Sequence, residues 1–114
     1  MDISAIEGTE LKAVSFVEDY LELGFGVPIL TLYNWPYVML ADFSVAFGEP
    51  EYRNALCAQI GETVKTATLE EDSALTIELE NGVVLGLSLR EEDLEQPESG
   101  VYSATGLAMD GEEF

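Results

Sequence analysis

The sequence predicts a single α+β domain spanning residues 1–114: a mostly antiparallel sheet of six or seven strands with one main helix at about 50–60. Three observations support this prediction: apolar and polar residues alternate in two separate regions, an Asn-Gly turn interrupts the second region, and a helical pattern lies between them. The length fits one domain. An apolar fraction of 47% can fill a core despite the high charge.

The first region predicts a meander of three antiparallel strands that ends near residue 34. Val14 and Phe16 are expected to face Leu23 and Leu21 across a turn that contains Glu18–Asp19. This register places the apolar residues of both strands on one face of the sheet. A further apolar run before residue 34 supplies the third strand.

The central segment predicts the helix, and Phe43 and Phe47 in the segment 35–48 before it indicate a short helical turn. Pro50 suits a first helical turn, and Gly61 supplies a stop. Cys57 is expected to be a small buried residue, because no histidine is present to activate its thiol. One helix face is apolar and should pack on the sheet; it consists of Tyr52, Ala55, Leu56 and Ile60.

The second region predicts another meander. Apolar residues alternate with Thr and Glu from Leu75 to Leu79, and an Asn-Gly pair then marks a hairpin. A three-residue loop over 80–82 pairs Ile77 with Leu85 and keeps both apolar sets on one face, whereas a two-residue loop would not. Burial therefore favours the longer loop, with Gly82 in a left-handed conformation.

The two regions resemble each other as units 8–34 and 61–90. Each begins with a glycine, followed by a lysine four residues later and an aspartate eleven residues later. We interpret them as two copies of a three-stranded meander; a chance likeness between alternating strands is the alternative. Beyond the second unit, 101–104 predicts an edge strand, and the tail 105–114 is expected to be frayed.

Charge sets the strongest limits on function. The chain has 23 Asp and Glu against 4 Lys and Arg, no histidine, and a formal net charge of -19. Of these, 16 acids and 3 bases fall in the region 49–114. Such a field repels nucleic acid and anionic membranes and attracts basic protein surfaces. We therefore expect a basic protein partner, with no direct nucleic-acid or membrane binding.

Catalysis is not expected. Without histidine, the usual base near neutral pH and the commonest metal ligand are both missing. Paired carboxylates can cleave sugar bonds, but here most acids alternate outward on strands or lie in turns. The acidic runs do not match the spacing of an EF-hand. We predict no catalytic residues, no cofactor and no metal site.

The candidate partner-binding residues are two acidic runs and two aromatic side chains. Two successive antiparallel strands separate the runs. Because the second strand returns the chain to where the first began, both runs are expected near one edge of the sheet. Trp35 and Tyr37 flank Pro36 in a loop, where such residues can act as interface anchors. The alternatives are a solubilising acidic surface and a tryptophan that closes the end of the core. The acidic candidates are Glu70, Glu71, Asp72, Glu91, Glu92 and Asp93.

The expected location is the cytoplasm. One cysteine allows no intramolecular disulfide, and the start of the chain, Met1-Asp2-Ile3-Ser4, carries an acid where a secretory signal carries Lys or Arg. No stretch approaches the roughly 20 apolar residues that span a bilayer.

The segment from Ala74 to Glu98 carries a family resemblance. Its two apolar strands, the Asn81–Gly82 turn and the acidic stretch ending in Pro97-Glu98 resemble a pattern in small acidic bacterial proteins, some of them similar to immunity proteins of polymorphic toxin systems. The resemblance implies a cytoplasmic inhibitor of one cognate toxin, often a nuclease with a basic groove. A nucleic-acid mimic and a homodimeric or otherwise oligomeric scaffold protein stay open as alternatives.

Overall fold

The computed structural model describes residues 1–94 and 99–114. In these ranges the chain forms ten strands, one α-helix, α1 (Tyr52–Cys57), and three 3-10 turns at Ser4–Ile6, Glu91–Asp93 and Ala108–Asp110. The strands are β1 (Ala13–Val17), β2 (Tyr20–Gly24), β3 (Ile29–Leu32), β4 (Tyr37–Met39), β5 (Ser44–Val45), β6 (Val64–Glu70), β7 (Ala74–Leu79), β8 (Val84–Ser88), β9 (Gly100–Ser103) and β10 (Gly111–Glu113).

The strands form two antiparallel sheets of five. The first sheet has the order β1-β2-β3-β9-β10, and the second has the order β5-β4-β8-β7-β6. The antiparallel character and the presence of one helix are confirmed. The prediction of one sheet of six or seven strands is wrong, because strands of two or three residues such as β4, β5 and β10 are too short to give a periodic signal.

Both sheets contribute their buried faces to one hydrophobic core. Leu21 and Leu23 of the first sheet and Ile77 and Leu79 of the second are almost completely inaccessible to solvent. Their outward neighbours on β2 and β7 are half-exposed, so each of these two strands has one buried face and one solvent-facing side. This alternation is the reason that the chain folds as two packed layers.

Both predicted hairpin registers are confirmed. Val14 and Phe16 pair with Leu23 and Leu21. In the second meander Ile77 pairs with Leu85, and Gly82 has a φ of 89°. The side chain of Asn81 accepts a hydrogen bond from the Val83 N–H at 3.0 Å, which fixes the loop between the two strands.

The central segment differs from its prediction. The α-helix ends at Cys57 instead of continuing to about Ile60, and turns carry the chain to Gly61. Ile60 and Cys57 are therefore exposed, whereas Tyr52 and Leu56 enter the core as expected. The segment before the helix forms the β4–β5 hairpin instead of a helical turn, because Val38 and Val45 pair across it and bury their side chains.

The C-terminal segment also differs from its prediction. The expected frayed tail contains β10, which pairs with β9, so β9 is an interior strand and not an edge. The half-buried Phe114 packs against the core, and its backbone N–H donates to the carbonyl of Gly100 at 3.0 Å. The absence of a side chain at Gly100 leaves room for the Phe114 ring.

The two halves of the chain have the same order of strands, and the last hairpin of each half joins the sheet of the other half. The meander β1-β2-β3 is followed by the β4–β5 hairpin, which joins the second sheet beside β8. The meander β6-β7-β8 is followed by the β9–β10 hairpin, which joins the first sheet beside β3. Each half of the chain therefore completes the sheet of the other half.

Four backbone hydrogen bonds join the two halves and form two equivalent pairs. When every residue is replaced by its counterpart in the other half, with Gly8 matched to Gly61, one bond of each pair becomes the other. Both of these glycines have positive φ. Duplication of units 8–34 and 61–90 stays a prediction that this geometry favours. The bonds run from Gly8 N to Val64 O (2.8 Å), from Gly61 N to Leu11 O (2.7 Å), from Leu11 N to Glu62 O (2.9 Å) and from Val64 N to Thr9 O (2.8 Å).

Candidate binding site at one end of the second sheet

The two acidic runs lie at the same end of the second sheet. Glu70, Glu71 and Asp72 surround the β6–β7 turn, and the other run forms the 3-10 turn Glu91–Asp93 just after β8. Since Ala74 pairs with Ser88 in the β7–β8 ladder, the end of β8 lies beside this turn. All six carboxylates are on exposed residues.

The remaining acidic residues also face outward. Every Asp and Glu in the described ranges is exposed or half-exposed. Two ion pairs occur in those ranges: the Met1 amino group contacts Glu71 at 3.4 Å, and Lys65 Nζ contacts Glu78 at 3.9 Å. Few cations are present to offset the acidic runs, so this end of the sheet carries a net negative potential.

Four aromatic rings form a contiguous row: Phe16, Trp35, Phe47 and Tyr52. The half-buried Trp35 stacks on Phe47, with ring centroids 4.2 Å apart, and on Phe16, with centroids 6.1 Å apart. Tyr52 packs edge-to-face with Phe16 and with Phe47, with ring centroids 6.4 and 5.7 Å apart. Phe16 belongs to β1 in the first sheet, so the row ties that sheet to the segment that follows β5.

Tyr52 fixes the position of Trp35. Its hydroxyl donates to the carbonyl oxygen of Pro36 at 2.6 Å in a buried position. Burial raises the pKa of the Tyr52 hydroxyl well above that of a free tyrosine, so the group stays a donor over the physiological range. The loop that carries Trp35 is therefore held by both ring stacking and a hydrogen bond.

A cleft of about 420 Å³ opens beside this aromatic row. Its polar lining consists of Asn34, Ser88 and Asp93, and Asp93 Oδ2 accepts a hydrogen bond from Ser88 Oγ at 2.7 Å. Its apolar wall includes Tyr37 and Phe47, which are 51% and 48% exposed, and the half-buried Trp35. The cleft thus places aromatic rings and an oriented carboxylate around one space.

The cleft unites three of the eight residues predicted from the sequence. Trp35, Tyr37 and Asp93 line it together. The other five do not line it and lie in the turns described above: Glu70, Glu71, Asp72, Glu91 and Glu92.

Sequence reasoning missed Phe47 and Ser88. Phe47 was expected in a helical turn, and its stacking on Trp35 has no signal in sequence spacing. The position of Ser88 at the end of an alternating strand, five residues before Asp93, was the available signal. The sequence left two roles open for Trp35, an interface anchor or a residue that closes the core. The structure is compatible with both, because Trp35 packs against the core and also lines the cleft.

A second cleft, of about 430 Å³, lies on the outer face of the first sheet. Tyr20 and Tyr33 form an edge-to-face pair in its wall, with centroids 6.1 Å apart. Glu22 is the acidic residue in its lining, and neither acidic run contributes to it. The cleft of the second sheet therefore fits a cationic partner better.

Residues 1–94 and 99–114 contain neither a metal-binding cluster nor a membrane-spanning helix. No three Asp, Glu or Cys side chains converge there in a way that could hold a metal ion. No helix in those ranges combines the length and the apolar character that a membrane-spanning segment needs. The Pro97-Glu98 end of the segment 74–98 lies outside the described residues.

Comparison of the chain with models of protein families, with curated proteins and with solved structures found no match.

Proposed function

We propose that this chain is a non-enzymatic, cytoplasmic inhibitor that neutralises a toxin by docking on its basic surface. A cognate nuclease is the favoured partner, since nuclease active sites are basic grooves that bind phosphates. The partner is a protein, because an anionic surface of this strength repels nucleic acid and anionic lipid.

The convergence of charge and aromatic surface at one end of the second sheet carries this proposal. Both acidic runs meet there, and the aromatic cleft opens beside the second run at Asp93. Tight interfaces combine buried aromatic contacts with a polar rim. The carboxylates would steer the partner to the surface, and the cleft would retain it.

The test uses the reading frames that flank the gene. Each flanking frame is expressed in a bacterial strain alone and together with this chain. We expect that one flanking frame stops growth alone and is tolerated with this chain. The absence of a toxic frame, or toxicity that this chain does not relieve, would overturn the proposal.

Matched charge variants connect this result to the site. The double substitution Glu91→Lys and Glu92→Lys should abolish or weaken protection. The substitution of Glu112 and Glu113 by Lys changes the net charge equally on the first sheet and should leave protection intact. Equal loss in both variants would assign protection to net charge instead of to the second sheet.

A further inference from the structure

We propose that the cleft of the second sheet receives an arginine side chain of the basic partner. This inference rests on the proposed function, because it names the group that the docking surface recognises. The cleft volume, about 420 Å³, is within the range of roughly 300–1,000 Å³ typical of small-ligand sites. It has room for one long side chain and the backbone beside it.

Two half-exposed rings supply the apolar part of the site. Tyr37 and Phe47 both line the cleft and leave about half of their surface accessible. Trp35 also lines the cleft and stacks on Phe47, with ring centroids 4.2 Å apart. A guanidinium is attracted to such rings within about 6 Å of the ring centre.

Asp93 supplies the charge. The bond from Ser88 Oγ to Oδ2 orients the carboxylate at the cleft wall. A carboxylate has about four acceptor sites, so this bond leaves capacity for a second, charge-assisted donor. The position of Asp93 in the cleft lining lets one cation contact a ring and a carboxylate together.

The same aromatic row already binds one guanidinium inside the molecule. Arg53 Cζ lies 5.5 Å from the centroid of the Phe16 ring, and Phe16 stacks on Trp35. The planar guanidinium can stack on a ring and bond to a carboxylate with two parallel N–H groups, which an ammonium cannot do. Arginine is therefore favoured over lysine.

Trp35, the single tryptophan of the chain, gives a direct readout. The protein is titrated at low salt with three capped tripeptides, Gly-Arg-Gly, Gly-Lys-Gly and Gly-citrulline-Gly, while the fluorescence of Trp35 is recorded. We expect saturable binding of the arginine peptide, about tenfold weaker binding of the lysine peptide, and no saturation by the neutral citrulline peptide. No saturation by the arginine peptide, or equal affinity for all three, would overturn the inference.

Variants assign the response to the cleft. Asp93→Asn keeps an oxygen that can accept from Ser88 but removes the charge, and it should weaken arginine binding about tenfold. Phe47→Leu keeps apolar bulk without a ring and should also weaken it. Glu113→Gln, on the first sheet, should bind as the unsubstituted protein does; unchanged binding by Asp93→Asn would contradict the assignment.

The two proposals fail separately. Protection against a toxic flanking frame without arginine binding would reject the arginine site alone. Arginine binding without such protection would reject toxin neutralisation and leave the arginine site in place.

Discussion

The backbone N–H of Leu89 donates a hydrogen bond to the carbonyl oxygen of Ser73 at 2.9 Å. Ser73 closes the turn that carries the first acidic run, and Leu89 comes just before the second run. This bond extends the β7–β8 ladder beyond the Ala74–Ser88 pair and keeps the runs side by side. Their potentials therefore add and give one concentrated negative surface.

The association rate should depend on that surface. Substitution of Glu91 and Glu92 by Lys should slow association with the toxin identified in the growth test about tenfold at low salt, because steering by charge raises association rates by 10–10³. Dissociation should accelerate much less, since rim charges act mainly on the approach. Stopped-flow mixing at several salt concentrations measures both rates. An unchanged association rate at low salt would remove the 91–93 run from the interface.

The folded protein should become more stable as salt is added. The net charge of -19 and the exposure of the described carboxylates mean that like charges repel across the surface. Salt screens this repulsion over about 10 Å near 0.1 M. We expect a higher melting temperature in about 0.5 M NaCl than in about 0.02 M NaCl, measured by circular dichroism. A flat response would indicate that bound cations already compensate the carboxylates.

The local parts of the fold were predictable from the sequence. Alternation fixes which residues of a hairpin share a face, so the pairs Val14–Leu23 and Ile77–Leu85 followed from burial alone. The proximity of the two acidic runs was also predictable, because a single hairpin of two antiparallel strands separates them. These features depend on residues close in sequence.

The features that depend on distant residues were not predictable. The exchange of β4–β5 and β9–β10 between the sheets depends on which edge each hairpin meets, and no local pattern encodes that choice. The stacking of Phe47 on Trp35 likewise arises only when the β4–β5 hairpin has formed. The sequence therefore named three residues of the cleft lining, Trp35, Tyr37 and Asp93, but it could not show that they surround one cavity.

Glu7 should protect an exposed edge of the second sheet. Its Oε2 accepts a hydrogen bond from the backbone N–H of Ala67 at 2.9 Å, and Ala67 lies in the edge strand β6. A carboxylate at this position satisfies an edge amide and repels a second strand. Glu7→Ala should lower the free energy of unfolding by about 1 kcal/mol and promote self-association.

Light scattering and urea denaturation test the role of Glu7. Glu10→Ala removes the same charge from the same exposed segment and serves as the matched control. If neither variant self-associates more than the unsubstituted protein and both have equal stability, Glu7 has no protective role at the edge.

Removal of the hydroxyl should destabilise the protein at one buried tyrosine, Tyr52, but not at another, Tyr102. Tyr52→Phe leaves the buried Pro36 carbonyl without its donor and should cost about 1–3 kcal/mol of unfolding free energy. The Tyr102 hydroxyl is buried without a hydrogen-bond partner among the described residues, so Tyr102→Phe should be neutral or stabilising. Urea denaturation of both variants at neutral pH measures the difference. Equal destabilisation would mean that the two hydroxyls have equivalent partners.

The same tyrosines should make the protein less stable in alkali. Burial raises the pKa of both hydroxyls in the folded state, and the nearby Asp2 carboxylate adds to the effect at Tyr102. Above the ordinary tyrosine pKa of about 10, the unfolded chain loses these protons while the folded chain keeps them, so the unfolding free energy falls as pH rises.

Phenylalanine variants isolate this contribution from general charge repulsion. The decline in urea midpoint between about pH 8 and pH 11 should be shallower in Tyr52→Phe than in the unsubstituted protein, because one proton fewer is released on unfolding. The double variant with Tyr102→Phe should be shallower still. Identical pH profiles in all three proteins would contradict the assignment, since repulsion among carboxylates is the same in each.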